Sequence, residues 1–360
     1  MSSKSKRDSN IELMRIIMML MILIHHVICH GIYSVDSILC HVGPVNSTMA
    51  IALVVNSFCY IGVNGFILIS GYYGITFKLR SLLNLYLICA FYSFIMHGIE
   101  IFVWGTKEIC LGTIKDVVLV FSQQDYWWFI RCYVILYLMS PMLNKALNIF
   151  DKKEFQITLV LLTIANLYFG YWWGRYNENG YNVAQFVYMY VIGRYIGRFI
   201  DLNSKDLSRK RMLMTYVLFM FIYSALSICS HYVGISHWKS FPYNNPLLIL
   251  GAVAFLLFML SFHFNSLLIN RIAKSCLSIY LLQNFDLMKR SSSCIQGLIG
   301  INWEQEEGVL IVFSLLLYLI GFALVFASIS VLFDQVRLLL TSPIMHWYDG
   351  MRKTYNEYLK

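Results

Sequence analysis

Ten apolar windows, each long enough to cross a lipid bilayer, follow one another along the chain with short polar stretches between them. They lie at residues 11–31, 50–73, 81–103, 126–142, 155–173, 183–200, 213–233, 246–263, 274–289 and 308–333. The ninth window is short and polar for a helix that faces lipid, so we expect the other helices to enclose it. The pattern predicts an all-α, polytopic membrane protein with about ten transmembrane helices. Counts of nine and eleven stay open.

Composition agrees with this class of protein. The chain of 360 residues is 59% hydrophobic and only 13% charged, and its mean hydropathy is +0.63. These values exclude a separate soluble catalytic domain. A net charge of +9 would suggest nucleic acid as the partner of a soluble protein. In a membrane protein such charge more often holds cytoplasmic loops inside, so we expect no nucleic-acid partner.

The distribution of lysine and arginine sets the orientation. With the N-terminus in the cytoplasm, nineteen of the 28 basic residues lie in inner segments and only six in outer loops. Both termini are therefore expected to be cytoplasmic, in a multi-pass protein of the plasma or inner membrane. The tail from Pro343 is interpreted as an amphipathic helix on the inner surface. The predicted domains are thus a membrane domain at 1–342 and a cytoplasmic tail at 343–360.

Arg15 and His26 are two ionisable residues in the first apolar window. Eleven positions at about 100° each place them on one helix face, about 16 Å apart along the axis. An ionisable side chain at membrane depth is costly, so a functional role is the default hypothesis, although a histidine can also serve only to bind a neighbouring helix. One substrate with a long, charged tail could contact both side chains.

Small and polar residues end the second window at Ser70, Gly71 and Tyr72. They are interpreted either as a close helix contact or as part of a substrate site. Lys78 and Arg80 follow at the predicted inner rim. They obey the positive-inside pattern, and they are also placed to receive the phosphates of a cytosolic donor. These two interpretations of the cations are compatible.

The fourth window carries Trp128 and Arg131, and Pro141 is expected to end its helix. Trp128 belongs to a run of aromatic residues, which indicates either an interfacial belt or a substrate contact. Arg131 lies inside the window near its outer end and needs a partner, which could be Asp125 or the acceptor substrate. We count both as candidate substrate-binding residues.

Close helix packing is predicted where Gly193 and Gly197 form a Gly-x-x-x-Gly pair. Glycines at this spacing let two backbones approach each other. We therefore expect the sixth window to pack tightly on another helix through this glycine face.

The sequence offers little support for other site types. His25, His26 and His30 cluster, but no carboxylate or cysteine at a matching spacing completes a metal site, so no metal is expected. The nine cysteines show no Cys-x-x-Cys pair and are interpreted as small apolar residues. Neither a Gly-x-Ser-x-Gly motif nor a phosphate-binding loop is present.

Several stretches nevertheless combine into a recognisable pattern. They are Arg15 and His26 with ten residues between them, Phe66-Ile-Leu-Ile-Ser-Gly-Tyr72, Trp128-Phe-Ile with Tyr137-Leu-Met-Ser-Pro141 and Asn144, Ser278-Ile-Tyr-Leu-Leu282, and Asp334-Gln-Val-Arg337. Together they resemble the bacterial membrane acyltransferase-3 family over nearly the whole chain. In one respect the chain departs from that pattern, because it has Gln283 where relatives often carry histidine.

This resemblance implies about ten spans and the O-acylation of surface polysaccharides or glycolipids. The implied donor is a cytosolic acyl-CoA, for which acetyl-CoA is the expected form, with no bound cofactor. The implied acceptor is a hydroxyl of a glycan or of a lipid-linked sugar. The residues suit this chemistry: a histidine can take the proton of a weakly nucleophilic hydroxyl, and an arginine can hold donor phosphate or carbonyl groups. His26 and Arg15 are thus the predicted catalytic residues, and donors near Ser70 are expected to stabilise the oxyanion.

A transporter or flippase for a glycan or small molecule is the alternative. In that case Arg15, His26 and Arg131 would line a polar pathway, and His26 would relay protons. Transporters often consist of two related halves with interrupted helices, and no such repeat is evident in the sequence. The acceptor, the acyl chain, the side of the membrane where transfer occurs and the oligomeric state stay open at this level.

Overall fold

The computed structural model describes residues 8–34, 37–38, 42–122, 127–204, 207–234, 242–283 and 285–358. Helices joined by turns and loops make up this part of the chain, which confirms the all-α class. Asp125, the predicted partner of Arg131, lies outside the described residues.

The first helix, α1 (Ser9–His26), continues directly as a π-helical segment, Val27–Ile32. The wider winding is closed by a hydrogen bond from the Tyr33 N–H to the Ile28 carbonyl at 3.0 Å. Single turns of π-helix are rare in proteins, and those that occur are often found at functional sites. His26 is the last residue before the winding changes, so its side chain leaves the helix at this transition.

The second apolar window forms two helices in series, α2 (Ser47–Cys59) and α3 (Gly62–Tyr73). Asn46 starts α2 by accepting a hydrogen bond from the Met49 N–H at 2.7 Å. A side chain of this type satisfies one of the free N–H groups at a helix start. Gly74 follows the end of α3 and has φ of +75°. Glycine adopts this conformation without steric cost, which allows the chain to leave the helix at this point.

Among the described residues, the middle of the chain continues with five α-helices. They are α4 (Leu79–Phe102), α5 (Leu111–Val118), α6 (Trp128–Ile149), α7 (Lys152–Ala165) with a π-helical extension at Asn166–Trp172, and α8 (Val183–Phe199). The expectation that Pro141 ends its helix is wrong, because α6 continues through Pro141 for two further turns. Proline removes one helical N–H but leaves the remaining bonds of a long, packed helix in place.

Six α-helices are described in the last part of the chain, over the ranges given above. They are α9 (Arg209–Val233), α10 (Pro246–Leu260), α11 (Leu267–Ala273), α12 (Cys276–Leu281), α13 (Phe285–Ile299) and α14 (Val309–Tyr358). The ninth window is therefore divided between α12 and α13. Five of the six residues of α12 are buried, as expected for an enclosed segment. Helix α14 passes through Pro343, so the predicted domain boundary at 342/343 falls inside one helix, and that division stays a prediction.

Six helical segments among the described residues are long and apolar enough to cross a membrane. They are Ser9–Ile32, Ser47–Tyr73, Leu79–Phe102, Lys152–Trp172, Arg209–Val233 and Val309–Arg352. The other predicted windows coincide with shorter or more polar helices, α6, α8, α10 and the α12–α13 pair. The protein thus has several candidate spans of an integral membrane protein, whereas the total of ten stays a prediction.

Helix α1 lies at the centre of the protein. It contacts α2, α3, α10, α11, α12 and α14, and its side chains Met14, Met18 and Leu23 are fully buried. A helix that is apolar on all sides and surrounded by others is a central element. Polar side chains on α1 are therefore held at fixed positions by packing around the whole helix.

Helices α3 and α8 touch through glycines. A Cβ atom on Gly71 would collide with the Tyr190 carbonyl oxygen, one on Gly193 with the Leu68 carbonyl oxygen, and one on Gly197 with the Tyr72 carbonyl oxygen. Only residues without a side chain permit such an approach. The predicted helix contact through Gly193 and Gly197 is confirmed.

A buried ion pair within α14 is joined to α4 by one hydrogen bond. Arg337 donates from Nε to Oδ1 of Asp334 at 2.7 Å and from Nη2 to Oδ2 at 2.8 Å. The Tyr92 hydroxyl also donates to Asp334 Oδ1, at 2.8 Å. All three side chains are almost fully buried. Buried charges persist when they are paired and hydrogen-bonded in this way.

Candidate functional site

A cavity of about 510 Å³ lies beside α1. Residues of α1, α3, α4, α6 and α12 line it, together with Tyr243 from the segment before α10. Volumes of about 300–1,000 Å³ are typical of sites for small organic molecules. Both predicted catalytic residues, Arg15 and His26, line it.

Arg15 and His26 contribute to the same cavity from the same helix. Their separation of eleven helical positions corresponds to about 16 Å along the axis. The prediction that the two side chains share one face is therefore consistent with the cavity that they line. The cavity is therefore elongated and extends along α1 for about three turns.

The Arg15 guanidinium is oriented by a carboxylate one turn earlier. Its Nη1 lies 2.8 Å from Glu12 Oε2, and both residues line the cavity. The side chain of Arg15 is 32% exposed, whereas that of Glu12 is 10% exposed. A guanidinium has five N–H donors in a planar fork, so one ion pair leaves donors for a second anionic group.

His26 Nδ1 lies 2.5 Å from the amide oxygen Oε1 of Gln283. This contact joins α1 to the stretch between α12 and α13, which lies far away in the sequence. Gln283 is 6% exposed. The position that departs from the family pattern is thus the hydrogen-bond partner of the predicted catalytic histidine.

The neighbouring histidines have other partners. His25 Nδ1 lies 2.7 Å from Asn56 Oδ1, and the ring packs edge-on against Tyr60. His30 stacks on Phe285 with ring centroids 3.8 Å apart. Among the described residues no group of three or more His, Cys, Asp or Glu side chains is arranged to hold a metal ion. The three imidazoles therefore have three different partners, Asn56, Gln283 and Phe285. Their proximity in the sequence does not indicate these partners.

Polar groups gather at the end of the cavity that contains Arg15. Ser70, Tyr73, Thr76 and Ser81 line this part of the cavity. The Ser70 hydroxyl donates to the Phe66 carbonyl oxygen at 3.0 Å. Ser70 therefore lines the site as predicted, but its proton is engaged in α3 and must turn away from that carbonyl to reach a substrate.

Aromatic rings form the other end of the cavity. Trp128 lines it and packs against Tyr181, with ring centroids 4.8 Å apart, and against Tyr243, at 5.6 Å. Phe129 and Tyr280 line the adjoining wall. The cavity is thus charged and polar near Arg15 and aromatic near Trp128, with His26 also on its wall.

Four predicted substrate-binding residues do not line the cavity. Tyr72 packs against Tyr73, and its backbone carbonyl faces Gly197. Lys78 and Arg80 are exposed outside the cavity. Arg80 forms a two-pronged ion pair with Asp349 at 2.7 and 2.8 Å. Arg131 is half-buried on α6, away from the cavity wall.

Sequence reasoning missed several residues of the site. Glu12 could have been found from its spacing of three positions before Arg15, because such pairs lie on one helix face. Tyr133 lies five positions after Trp128, and this spacing does not place two residues on the same face of a helix. Tyr280 and Gln283 belong to the ninth window, and only the packing of α12 on α1 brings Tyr280 to the cavity and Gln283 to His26.

The fold and this cavity define an integral membrane protein with an ionisable site enclosed by its helices. The chain matches the family model of the acyltransferase domain Acyl_transf_3 over residues 8–334, and it belongs to the acyltransferase 3 family. It is therefore a membrane acyltransferase. The matched region includes every residue that lines the cavity. Comparisons with curated proteins and with solved structures gave no match.

Proposed function

We propose that the protein is an O-acyltransferase that transfers an acetyl group from cytosolic acetyl-CoA to a hydroxyl of a surface polysaccharide or lipid-linked glycan. The observation that supports this proposal most directly is the single cavity shared by Arg15 and His26. The cation proposed for the donor and the base proposed for the acceptor both belong to the wall of this cavity. The acetyl group and the glycan class are suggested by the family resemblance, not by the cavity.

His26 is the proposed general base. It accepts the proton of the acceptor hydroxyl while the hydroxyl oxygen forms a bond to the thioester carbonyl carbon. The tetrahedral intermediate then collapses, the carbon–sulfur bond breaks, and the thiolate takes the proton from the imidazolium. The products are the O-acetyl ester and free CoA, so no oxidant or further co-reactant is needed.

The donor is proposed to enter from the end that contains Arg15. A cavity of about 510 Å³ suits the thioester and its extended arm but is small for a whole CoA molecule. The nucleotide end would then stay outside the cavity, where the exposed cations Lys78 and Arg80 lie. Arg15 would bind phosphate or carbonyl groups of the arm, since its fork retains free donors beside Glu12.

The acceptor is proposed to bind at the aromatic end. Aromatic rings such as Trp128 and Tyr243 provide flat apolar faces on which the C–H face of a sugar ring can pack. Their hydroxyl and N–H groups can also contact sugar hydroxyls. This arrangement would present one sugar hydroxyl toward His26. It would also agree with the proposed orientation, in which the Arg15 end faces the cytoplasm.

Radiolabelled acetyl-CoA distinguishes this proposal from the transporter alternative. The purified protein in lipid vesicles is incubated with acetyl-labelled CoA and with membranes of the host as the source of acceptor. We expect label in the glycan or glycolipid fraction, released by mild alkali as an O-ester is, and none with the His26→Gln variant. Movement of an unmodified glycan across the vesicle membrane, with no covalent label above that of empty vesicles, would overturn the proposal.

The acceptor can be identified in cells. Surface glycans of a deletion strain are compared by mass spectrometry with those of the parent strain. The difference expected is the loss of one acetyl group from one class of glycan, restored by the wild-type gene.

A further inference from the structure

The partner of His26 lies at an interruption between two helices. Gln283 follows α12 and precedes α13, so its backbone is outside a regular helix. His26 itself stands where α1 changes to π-helical winding. Inside a membrane, interrupted helices are tolerated where they are enclosed by protein or line a cavity. Two local departures from regular α-helix therefore meet at one hydrogen bond of 2.5 Å.

The chemistry of this hydrogen bond determines where the imidazole proton is. The amide oxygen Oε1 of Gln283 has lone pairs and no hydrogen, so it can only accept. His26 Nδ1 must then carry the N–H and donate it. In a neutral imidazole the other nitrogen, Nε2, is left with a free lone pair. An imidazole in this tautomer is ready to accept a proton through Nε2.

Packing alone does not account for a glutamine at this position. Its amide nitrogen Nε2 is buried and has no hydrogen-bond partner among the described residues. Leaving a buried donor unpaired is destabilising, and an apolar side chain of the same size would avoid that cost. The contact that the glutamine does make is the one to His26. The hydrogen bond to His26 is the interaction that a glutamine side chain, unlike an apolar one, supplies at this position.

The aromatic neighbours of His26 do not determine its tautomer. His30 and Phe285 meet the His26 ring edge-on, with centroids 5.7 and 5.9 Å away. His25 directs its Nδ1 to Asn56 instead. Ring contacts of this kind position an imidazole but do not distinguish its two nitrogens. Within the described part of the chain, Gln283 is the one residue that the structure shows in a hydrogen bond with the His26 imidazole.

We propose that Gln283 is a positioning residue that holds His26 in the tautomer with the proton on Nδ1 and the Nε2 lone pair free for the acceptor hydroxyl. This inference rests on the proposed function, in which His26 is the general base. Gln283 itself does not touch the reacting atoms. It acts through the imidazole, as the outer partners of ligating or catalytic histidines do.

Two substitutions of similar size distinguish the effect of the hydrogen-bond acceptor from the effect of side-chain volume. Gln283→Met removes the acceptor and nearly conserves the volume, whereas Gln283→Glu retains an oxygen acceptor for the Nδ1–H. We expect Gln283→Met to lower kcat for acetyl transfer by about 10- to 100-fold, the loss typical when an outer partner of a metal-bound histidine is removed. The KM for acetyl-CoA should not change. Gln283→Glu should recover most of the rate.

Gln335→Met is the matched control. Gln335 is exposed on α14 and donates to the Val331 carbonyl of its own helix. The same substitution there should leave kcat and KM at their wild-type values. Thermal unfolding and size-exclusion chromatography in detergent establish that each variant is folded, and rates are expressed per folded protein.

Nitrogen-15 NMR tests the tautomer without any substrate. The protein is labelled at histidine nitrogens, and the His26 signals are assigned by their loss in His26→Gln. Wild type should show a neutral imidazole with a protonated Nδ1, and Gln283→Met should lose this preference. A wild-type His26 protonated at Nε2 would overturn the proposal. A Gln283→Met variant with wild-type kcat and an unchanged tautomer would also overturn it.

These outcomes are distinct from failure of the proposed function. If His26→Gln transfers acetyl groups at the wild-type rate, the general-base assignment fails whatever Gln283 does. If His26→Gln is inactive while both Gln283 variants behave as wild type, only the positioning role is refuted. The NMR result stands in either case, because it reports the tautomer and not the turnover.

Discussion

Arg15 and His26 are separated by about three turns of one helix, and their side chains line one cavity. Since both are fixed to α1, their spacing does not depend on the movement of one helix past another. A substrate that reaches both must extend along the helix axis. This relationship makes the two residues separable by experiment, because each should affect a different part of the reaction.

The substitution His26→Gln should abolish acyl transfer in a folded, correctly inserted protein. Glutamine retains hydrogen-bonding capacity but cannot accept a proton near neutral pH. A placed general base typically contributes about 10²- to 10⁴-fold in rate, which sets the expected loss. Initial rates with labelled acetyl-CoA at equal amounts of folded protein measure it.

His25→Gln is the control for that substitution. His25 is buried and directed to Asn56, and it does not line the cavity. Its replacement should cost some stability but leave the rate per folded protein within a few-fold of wild type. Comparable loss of rate in both variants would indicate damage to α1 rather than loss of a base.

The substitution Arg15→Lys should raise the KM for acetyl-CoA although the positive charge remains. A lysine ammonium cannot reproduce the planar fork that pairs with Glu12 and can hold a phosphate or carbonyl at the same time. Steady-state kinetics at varied acetyl-CoA concentration measure the change.

Arg131→Lys provides the comparison, because Arg131 is also an arginine in a predicted membrane window but lies outside the cavity wall. It should leave the donor KM unchanged. Equal effects of the two substitutions would argue against a donor-binding role of Arg15 and for a general role of arginine in insertion.

Arg80 and Asp349 should act in opposite directions on donor binding. If Arg80 receives donor phosphates, Asp349 competes for the same guanidinium. We therefore expect Arg80→Gln to raise the acetyl-CoA KM and Asp349→Asn to lower it. Exposed ion pairs are weak because water screens them, so each change should be a few-fold at most. If both variants have the acetyl-CoA KM of the wild-type protein, Arg80 does not bind the donor and serves only in the ion pair with Asp349.

Loss of Asp334 should destabilise the protein strongly. Asp334→Asn leaves the buried Arg337 without its counter-charge, which typically costs about 3–5 kcal/mol. Tyr92→Phe removes one hydrogen bond to a charged group and should cost about 1.5–3 kcal/mol. Urea unfolding in detergent ranks the variants.

The double variant Asp334→Leu with Arg337→Met tests whether the charge itself is the cause. Replacing a buried ion pair by apolar side chains is often neutral. The double variant should therefore be more stable than Asp334→Asn alone. A double variant that is less stable would point instead to the hydrogen bond with Tyr92 as the main contribution.

The substitution Gly193→Ala should destabilise the contact between α3 and α8. An added Cβ meets the Leu68 carbonyl oxygen and the backbone of Gly71. Overpacking of this kind typically costs about 1–3 kcal/mol. The site residue Ser70 belongs to α3, so the rate of acetyl transfer should fall as well.

Gly321→Ala is the matched control, since a Cβ at that position on α14 has no neighbouring atom within 4 Å. It should be neutral or slightly stabilising, because alanine is the better helix former. Thermal unfolding of both variants provides the comparison. A neutral Gly193→Ala would contradict the close approach of the two helices.

The sequence predicted well those features that depend on neighbouring positions along one helix. Arg15 and His26 share a face because helical geometry alone places residues eleven positions apart on the same side. The contact through Gly193 and Gly197 was predicted from their spacing, because glycines four positions apart form a continuous groove. The predicted end of α6 at Pro141 failed, because tertiary packing holds the helix together beyond it.

The amino-acid sequence by itself determined the class of this protein, its apolar helices and the pairing of Arg15 with His26, because hydropathy and helical periodicity are local properties. The tertiary structure alone decided that Trp128 and Ser70 line the cavity while Tyr72 and Arg131 do not. It also brought Gln283 to His26, across more than two hundred and fifty residues. Contacts between distant segments depend on how whole helices pack, and the free energy of that packing is distributed over the entire chain.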